Sequence, residues 1–224
     1  MNTSEIEVRI TADGSTTLYR KDINETYHSI HGALQEARHV FIEHGLATLP
    51  KLNKVNILEV GFGTGLNALL TALYAQNKGL RIEYHGLEAF PLEDAIWQQV
   101  NYDSLIQEAN VSQIFSQLHT AAWNELTYLN NDFGLLKIHN TLQNYHAQEM
   151  DFHLIFFDAF GPRAQEEMWD VTLFKKLYDA LKPSGVLTTY CAKGSFKRDL
   201  KSLGFTVESC PGPPGKREMT RAIK

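Results

Sequence analysis

Nine consecutive residues carry an acid, three glycines spaced two apart and an amide: Glu59-x-Gly61-Phe62-Gly63-Thr64-Gly65-Leu66-Asn67. An apolar run at 55–60 precedes them and helix-forming residues follow. The segment therefore reads as a buried strand, a tight turn and the first turn of a helix. Glycine permits positive φ and close approach of a ligand to the backbone. A helix N-terminus offers N–H groups without intrahelical partners. This is the layout of a nucleotide-cofactor loop, although tight strand–helix packing alone can also demand glycine.

The spacing separates two cofactor types. Dinucleotide folds use Gly-x-Gly-x-x-Gly against a pyrophosphate. Here Gly65 comes one residue early, and Glu59 would repel a pyrophosphate. S-adenosyl-L-methionine has no phosphate; its ammonium and sulfonium suit acids, so it is the expected cofactor. Glu59, Gly61, Gly63, Thr64, Gly65 and Asn67 are the expected contacts around the loop. Glu88 follows Gly65 by 23 residues, at the end of the second expected strand, 82–87. A carboxylate at that place can accept both ribose hydroxyls of an adenosine. Asn140, after a third run, is a candidate adenine contact or a turn cap. Asp158 follows the largely apolar strand 152–157. An acid carried out to the carboxyl edge of a sheet is costly unless used or hydrogen-bonded. It is the expected catalytic residue, with a further part in binding the cofactor.

The elements that must position these groups follow from periodicity. Residues 5–20 alternate around Asp13-Gly14, which predicts a β-hairpin. The helical spacing of 33–44 ends at Gly45. Strands are expected at 55–60, 82–87, 133–138, 152–157, 186–191 and 205–209, with a short terminal strand. Helices are expected at 66–76, 91–100, 166–181 and 196–203, whereas 103–131 carries little signal. The fold expected is an α/β, Rossmann-like class I methyltransferase with a seven-stranded sheet and an antiparallel last strand. An N-terminal hairpin-and-helix extension (1–50) precedes a methyltransferase domain (51–224).

Composition narrows the classes further. With 224 residues and 43% hydrophobic content the chain suits one domain with a small appendage. No apolar run approaches the ~20 residues of a membrane span. The opening residues are polar and acidic, unlike a signal peptide, so a cytoplasmic setting is expected. Cys191 and Cys210 form neither a disulfide framework nor a zinc motif. His28 and His31 lack a Cys or acid pair nearby and read as loop hydrogen-bonding groups, so no metal is expected. The net charge of −5 divides unevenly: residues 182–224 hold nine Lys or Arg and three acids, +6, leaving −11 elsewhere. A basic C-terminal face is compatible with an anionic substrate, or is simply a solvated surface.

Four motifs together carry a resemblance: Glu36-x-Arg38-x-Val40-Phe41; the glycine loop through Asn67; Phe157-Asp158-Ala159-Phe160 with Met168-Trp169 downstream; and Lys216-Arg217-Glu218-Met219. The chain resembles, over about residues 24–222, the methyltransferase family of the bifunctional tRNA enzyme MnmC and its stand-alone form MnmD. The resemblance implies N-methylation of 5-aminomethyl(-2-thio)uridine at tRNA wobble position 34, with S-adenosyl-L-methionine as donor and other enzymes making the aminomethyl precursor. Because the chain stops at Lys224, the FAD oxidase activity of the bifunctional enzyme is expected to be absent. Two departures stand out. Asp-Ala-Phe-Gly-Pro replaces the family's frequent Asp-Gly-Phe-Ala-Pro but keeps small residues beside the acid. Asn140 stands where the family has an acid, which puts that adenine contact in doubt.

Methyl transfer to an amine needs positioning and a neutral nitrogen. Asp158 is expected to orient the amine first and to accept its proton second. Lys193, Lys197, Arg198, Lys216 and Arg217 are candidate phosphate contacts on the anticodon stem-loop. Tyr27 or Phe160 is expected to hold the unstacked base, Trp169 fitting the core better. Competing readings are a methyltransferase for a small amine or a protein, and a non-enzymatic nucleotide-binding module; the latter leaves Asp158 unexplained. An NAD-dependent oxidoreductase fails on glycine spacing.

Overall fold

The computed structural model describes residues 5–146 and 152–224. The chain opens with a three-stranded antiparallel sheet, β1 (Ile6–Ile10), β2 (Thr16–Arg20) and β3 (Glu25–Thr26). The Asp13-Gly14 turn falls between β1 and β2 as its sequence predicts. Next comes α1 (Ala33–Ala37), which widens into a π-helical stretch, Arg38–Glu43, where an α-helix to residue 44 was expected. The backbone N–H and Nδ1 of His44 both bond to the His39 carbonyl, which closes the wider turn.

The main sheet then builds from β4 (Lys54–Val60), α2 (Leu66–Lys78) and β5 (Arg81–Glu88). Three helices follow: α3 (Asp94–Trp97), α4 (Tyr102–Leu105) and α5 (Val111–Thr120). Strands β6 (Leu126–Tyr128), β7 (Phe133–His139) and β8 (Phe152–Phe157) lead to α6 (Val171–Ala180), β9 (Leu181–Thr189) and α7 (Gly194–Ser202). The chain closes with β10 (Thr206–Pro211) and β11 (Glu218–Ile223). Strand order is β10-β11-β9-β8-β4-β5-β7-β6, with β11 antiparallel to both its neighbours. The seven expected strands are present; β6 adds an eighth, antiparallel edge strand against β7.

β4 and β8 carry apolar residues on both faces because both faces of these parallel strands are covered. Val55 and Ile57 enter one buried cluster, shared with α2 and α5; Leu58 and Val60 enter another, shared with α6 and α7. Leu154 and Phe156 of β8 divide from Ile155 and Phe157 in the same way. Leu18, Ala33, Val40 and Phe41 of the first fifty residues belong to the first cluster, so the N-terminal sheet and helix are packed onto the central strands.

Parallel registry brings the strand ends together. Val60 pairs with Leu87 and with Phe157, and Glu88 with His139. Gly61, Glu88, Asn140 and Asp158 therefore emerge side by side at the carboxyl edge, where open α/β sheets bind ligands.

Candidate active site

A cavity of about 290 Å³ opens at this edge. The sequence candidates Gly61, Gly63, Thr64, Asn67, Glu88, Asn140, Asp158, Tyr27 and Phe160 all line it. Gly65 and Glu59 do not. Gly65 lies behind, capping α2. Glu59 is fully buried, which places it one layer beneath the wall.

Three contacts set the loop. Gly63 N–H donates to Glu88 Oε2 at 2.9 Å, and Phe90 N–H to Glu88 Oε1 at 2.9 Å. Each carboxylate oxygen keeps lone-pair capacity for a hydroxyl. Gly61 sits at φ +92°, and a Cβ there would stand 2.6 Å from the Asp158 carbonyl oxygen. The side-chain-free backbone at 61 is what allows β4 and β8 to end in contact.

Beneath the loop lies an acid–amide–acid chain. Asn67 Nδ2 donates to Glu59 Oε1 and to Asp158 Oδ2, both at 2.9 Å. Asn67 Oδ1 and Glu59 Oε2 are buried without a hydrogen-bond partner among the described residues. Burial, then the charge of Asp158, keeps Glu59 protonated far above the usual carboxylate range. The Asp158 carboxyl is pushed up to about 7 by burial and by the Glu36 charge; Asn67 and Lys216 pull it down. The sequence acids thus divide into one that is neutral and structural and one poised near neutrality on the cavity wall.

A stability prediction follows. A carboxyl raised on folding holds its proton in the native state where the unfolded chain has released it. Its contribution is full below about pH 4 and is lost as pH rises towards about 7. Asp158→Asn should therefore be more stable than the native chain, by a margin that opens across this window. We expect roughly 2–4 kcal/mol at pH 8, the lower figure allowing for cavity water around the carboxyl. Denaturant melts at pH 4, 6 and 8 measure it; a margin independent of pH contradicts it.

Two histidines brace the glycine loop. His28 bonds to Thr64 Oγ1 at 2.7 Å, and burial lowers its proton affinity to about 4, so it is neutral. Its role is the loop hydrogen bonding that the sequence favoured. His119, on α5, bonds to the Thr64 carbonyl at 3.2 Å and stacks on Trp97 at 4.2 Å, bracing the loop from behind. Arg20, Phe90 and Met168 complete parts of the wall. Met168 belongs to a motif that the sequence singled out; nothing local distinguishes Arg20 and Phe90 from surface residues. Tyr27 and Phe160 meet edge to face at 5.0 Å. Trp169 is buried in the second cluster, its Nε1 donating to the Phe160 carbonyl at 2.8 Å.

The basic residues separate into two groups. Lys193, Arg198 and Arg217 are exposed. Lys197 instead donates to Ser209 at 2.7 Å and Glu218 at 2.8 Å. Lys216 pairs with buried Glu36, whose other oxygen accepts Ser29 N–H at 3.0 Å, and lies 3.9 Å over the Tyr190 ring. Gly215 gives room to His31, where a Cβ would stand 2.1 Å from the ring. These contacts tie the Pro/Gly loop to the N-terminal helix and to the end of β9. Two of the five expected phosphate contacts are thus already engaged with carboxylates. Lys216→Met would strand the Glu36 carboxylate and should cost roughly 2–3 kcal/mol, a value moderated by the partial exposure of the lysine. Calorimetric melting checks this, and Glu36→Gln in the same chain should restore part of the loss.

Among the described residues one group could hold a metal by geometry: His39, Glu43 and His44. His39 Nε2 and His44 Nδ1 are bonded to the carbonyls of Pro211 and His39, which accounts for their placement. Both cysteines are free. No described helix is long and apolar enough to cross a membrane.

A glycine loop and two acids, Glu88 and Asp158, at the carboxyl edge of a sheet with an antiparallel inserted strand are the arrangement of a nucleoside-cofactor methyltransferase. Comparison with known families agrees: residues 106–224 match the S-adenosyl-L-methionine-dependent methyltransferase family model. The chain belongs to this family. It is 28% identical to the tRNA 5-methylaminomethyl-2-thiouridine biosynthesis bifunctional protein MnmC of Pseudoalteromonas atlantica, over 100% of this chain and 34% of that protein. It is 31% identical to its Pseudomonas aeruginosa counterpart, over 87% of this chain and 32% of that one. The chain spans about a third of the length of these curated relatives. Among solved structures it is similar to MNMC2 from Aquifex aeolicus, with TM-score 0.78 and 25% identity over 97% of this chain and 69% of that one.

The residues present fit the cofactor. The cavity wall carries the carboxyl groups of Glu88 and Asp158, the buried acceptor Asn67 Oδ1 has no partner among the described residues, and the backbone at Gly61 leaves no side chain in the way. When bound, S-adenosyl-L-methionine supplies a methyl group on a cationic sulfur.

Proposed function

We propose that this protein methylates the primary amine of 5-aminomethyl(-2-thio)uridine at the tRNA wobble position, forming the 5-methylaminomethyl nucleoside. The observation that carries this reading is the Asp158 carboxyl on the cavity wall, with a proton affinity raised to about 7. An amine attacks only when neutral, and an ordinary carboxylate is a poor base for it. Burial lifts Asp158 towards the range where general bases work. Its carboxylate accepts an amine N–H, orients the nitrogen, and takes the proton as the new N–C bond forms. Asn67 holds the carboxyl in place through Oδ2. Tyr27 and Phe160 offer aromatic faces for an extruded base, which must leave its stack to be reached. The relatives' printed name, a tRNA 5-methylaminomethyl-2-thiouridine biosynthesis protein, supports the choice of substrate. Separate enzymes would supply the aminomethyl precursor.

Incubation with labelled S-adenosyl-L-methionine and tRNA carrying 5-aminomethyluridine tests the proposal. Label in the methylaminomethyl nucleoside supports it. Label in small amines or protein, and none in tRNA, overturns it.

The exposed cations Lys193, Arg198 and Arg217 are the proposed phosphate contacts. Replacing Lys193 and Arg217 by alanine should weaken binding of an anticodon stem-loop. It should also reduce the salt slope by about 0.7–0.9 per lost contact. Lys197→Ala should leave the slope unchanged, because its charge is spent on Glu218. Filter binding from low to high salt distinguishes these outcomes.

A further inference from the structure

The charges around the cavity are uneven. Its described lining includes the acids Glu88, Asp158 and Glu167 and a single permanent cation, Arg20 of β2. His28 is neutral. The cofactor carries two cationic centres, but it also carries a carboxylate at the end of its amino-acid tail. A wall of acids accommodates the cations and leaves that carboxylate in need of a partner.

Arg20 is placed to be the partner. Its side chain is only 14% exposed, at the end of β2, the central strand of the N-terminal sheet. Asp22 holds the guanidinium through Nε, at 3.0 Å, and through Nη2. That contact fixes the plane of the group and leaves Nη1 outside the Asp22 pair. The guanidinium lies 5.7 Å over the ring of Phe160, two residues beyond Asp158. Arg20, Phe160 and Asp158 line the same cavity. Arginine held in plane and withdrawn from water is well suited to a carboxylate.

We infer that Arg20 binds the carboxylate of the cofactor's amino-acid tail, so that the N-terminal sheet completes the cofactor site rather than merely covering it. The inference rests on the cofactor class and not on the identity of the methyl acceptor. In this arrangement Asp22 is a positioning residue for Arg20.

Calorimetry with two ligands tests it: S-adenosylhomocysteine, and S-adenosyl-3-thiopropylamine, which keeps the thioether and amine but lacks the carboxylate. The native protein should prefer the first. Arg20→Gln should weaken S-adenosylhomocysteine about tenfold or more and leave the decarboxylated ligand within about twofold, erasing the preference. Arg20→Lys, which keeps the charge but loses the planar fork, should fall between, as should Asp22→Asn. Equal weakening of both ligands, or no change in either, overturns the inference, with thermal melts confirming that each variant is folded. If neither ligand binds the native protein, the cofactor site itself is misplaced and the inference falls with it.

Discussion

Asp158→Asn should lower methyl transfer to the amine by about 10²–10⁴-fold, while S-adenosylhomocysteine still binds within a few-fold of the native affinity. Asparagine keeps an acceptor for Asn67 Nδ2, so the wall is preserved and the proton acceptor is lost. The same substitution should raise stability between pH 4 and 8, because it removes the cost of ionising a buried carboxyl. A folding defect predicts lost activity with lost stability. Here the account requires the two to move in opposite directions. Single-turnover rates with denaturant melts on the same preparations check this. Full turnover by Asp158→Asn would remove Asp158 from the chemistry.

Gly61→Ala should be the most damaging change in the glycine loop. Its φ of +92° strains any residue with a Cβ, and that Cβ would meet the Asp158 carbonyl oxygen at 2.6 Å and its carbon at 3.1 Å. Both are backbone atoms, so no rotamer relieves the clash. Asp158 N–H is held by the Val60 carbonyl at 2.9 Å and Gly61 N–H by the Leu87 carbonyl at 3.0 Å. Relief must come from parting the ends of β4 and β8. We expect a loss of roughly 3 kcal/mol or more and at least a tenfold weaker affinity for S-adenosylhomocysteine. Melting and calorimetry on Gly61→Ala would contradict this if both values stayed at the native level.

The parts of the site written in local pattern were readable from sequence. The run 152–157 followed by Asp158 could be read because a strand covered on both faces is largely apolar, as 154–157 is, so an acid at its end stands out. The loop at 61–65 and the offset to Glu88 follow from one strand–helix–strand unit of ordinary length. What the sequence hid depends on contacts between distant segments. Lys216 looks like a free cation in a basic tail, yet its partner Glu36 lies 180 residues away. Glu59 looks like a cofactor ligand because its burial beneath Asn67 is a property of the assembled layer. Arg20 resembles any polar residue of a hairpin until the sheet folds over the cavity. The stretch 91–100, expected as one helix, forms only the turn Asp94–Trp97. The preceding backbone bends at residues 89–90, with Phe90 N–H on Glu88, and lines the cavity. Strand β6 is only three residues long, too short for its Leu-Thr-Tyr alternation to signal a strand, and Leu126 and Tyr128 face solvent at the sheet edge.

The central claim is that the cavity at the carboxyl edge holds the methyl donor with its reacting end towards Asp158. A crystal structure of the protein with S-adenosylhomocysteine tests it most directly. The account predicts ribose hydroxyls within hydrogen-bond distance of Glu88, the thioether sulfur facing the Asp158 side, and the tail carboxylate on Arg20. An adenosine bound away from Glu88, or a sulfur with protein packed between it and Asp158, would contradict it.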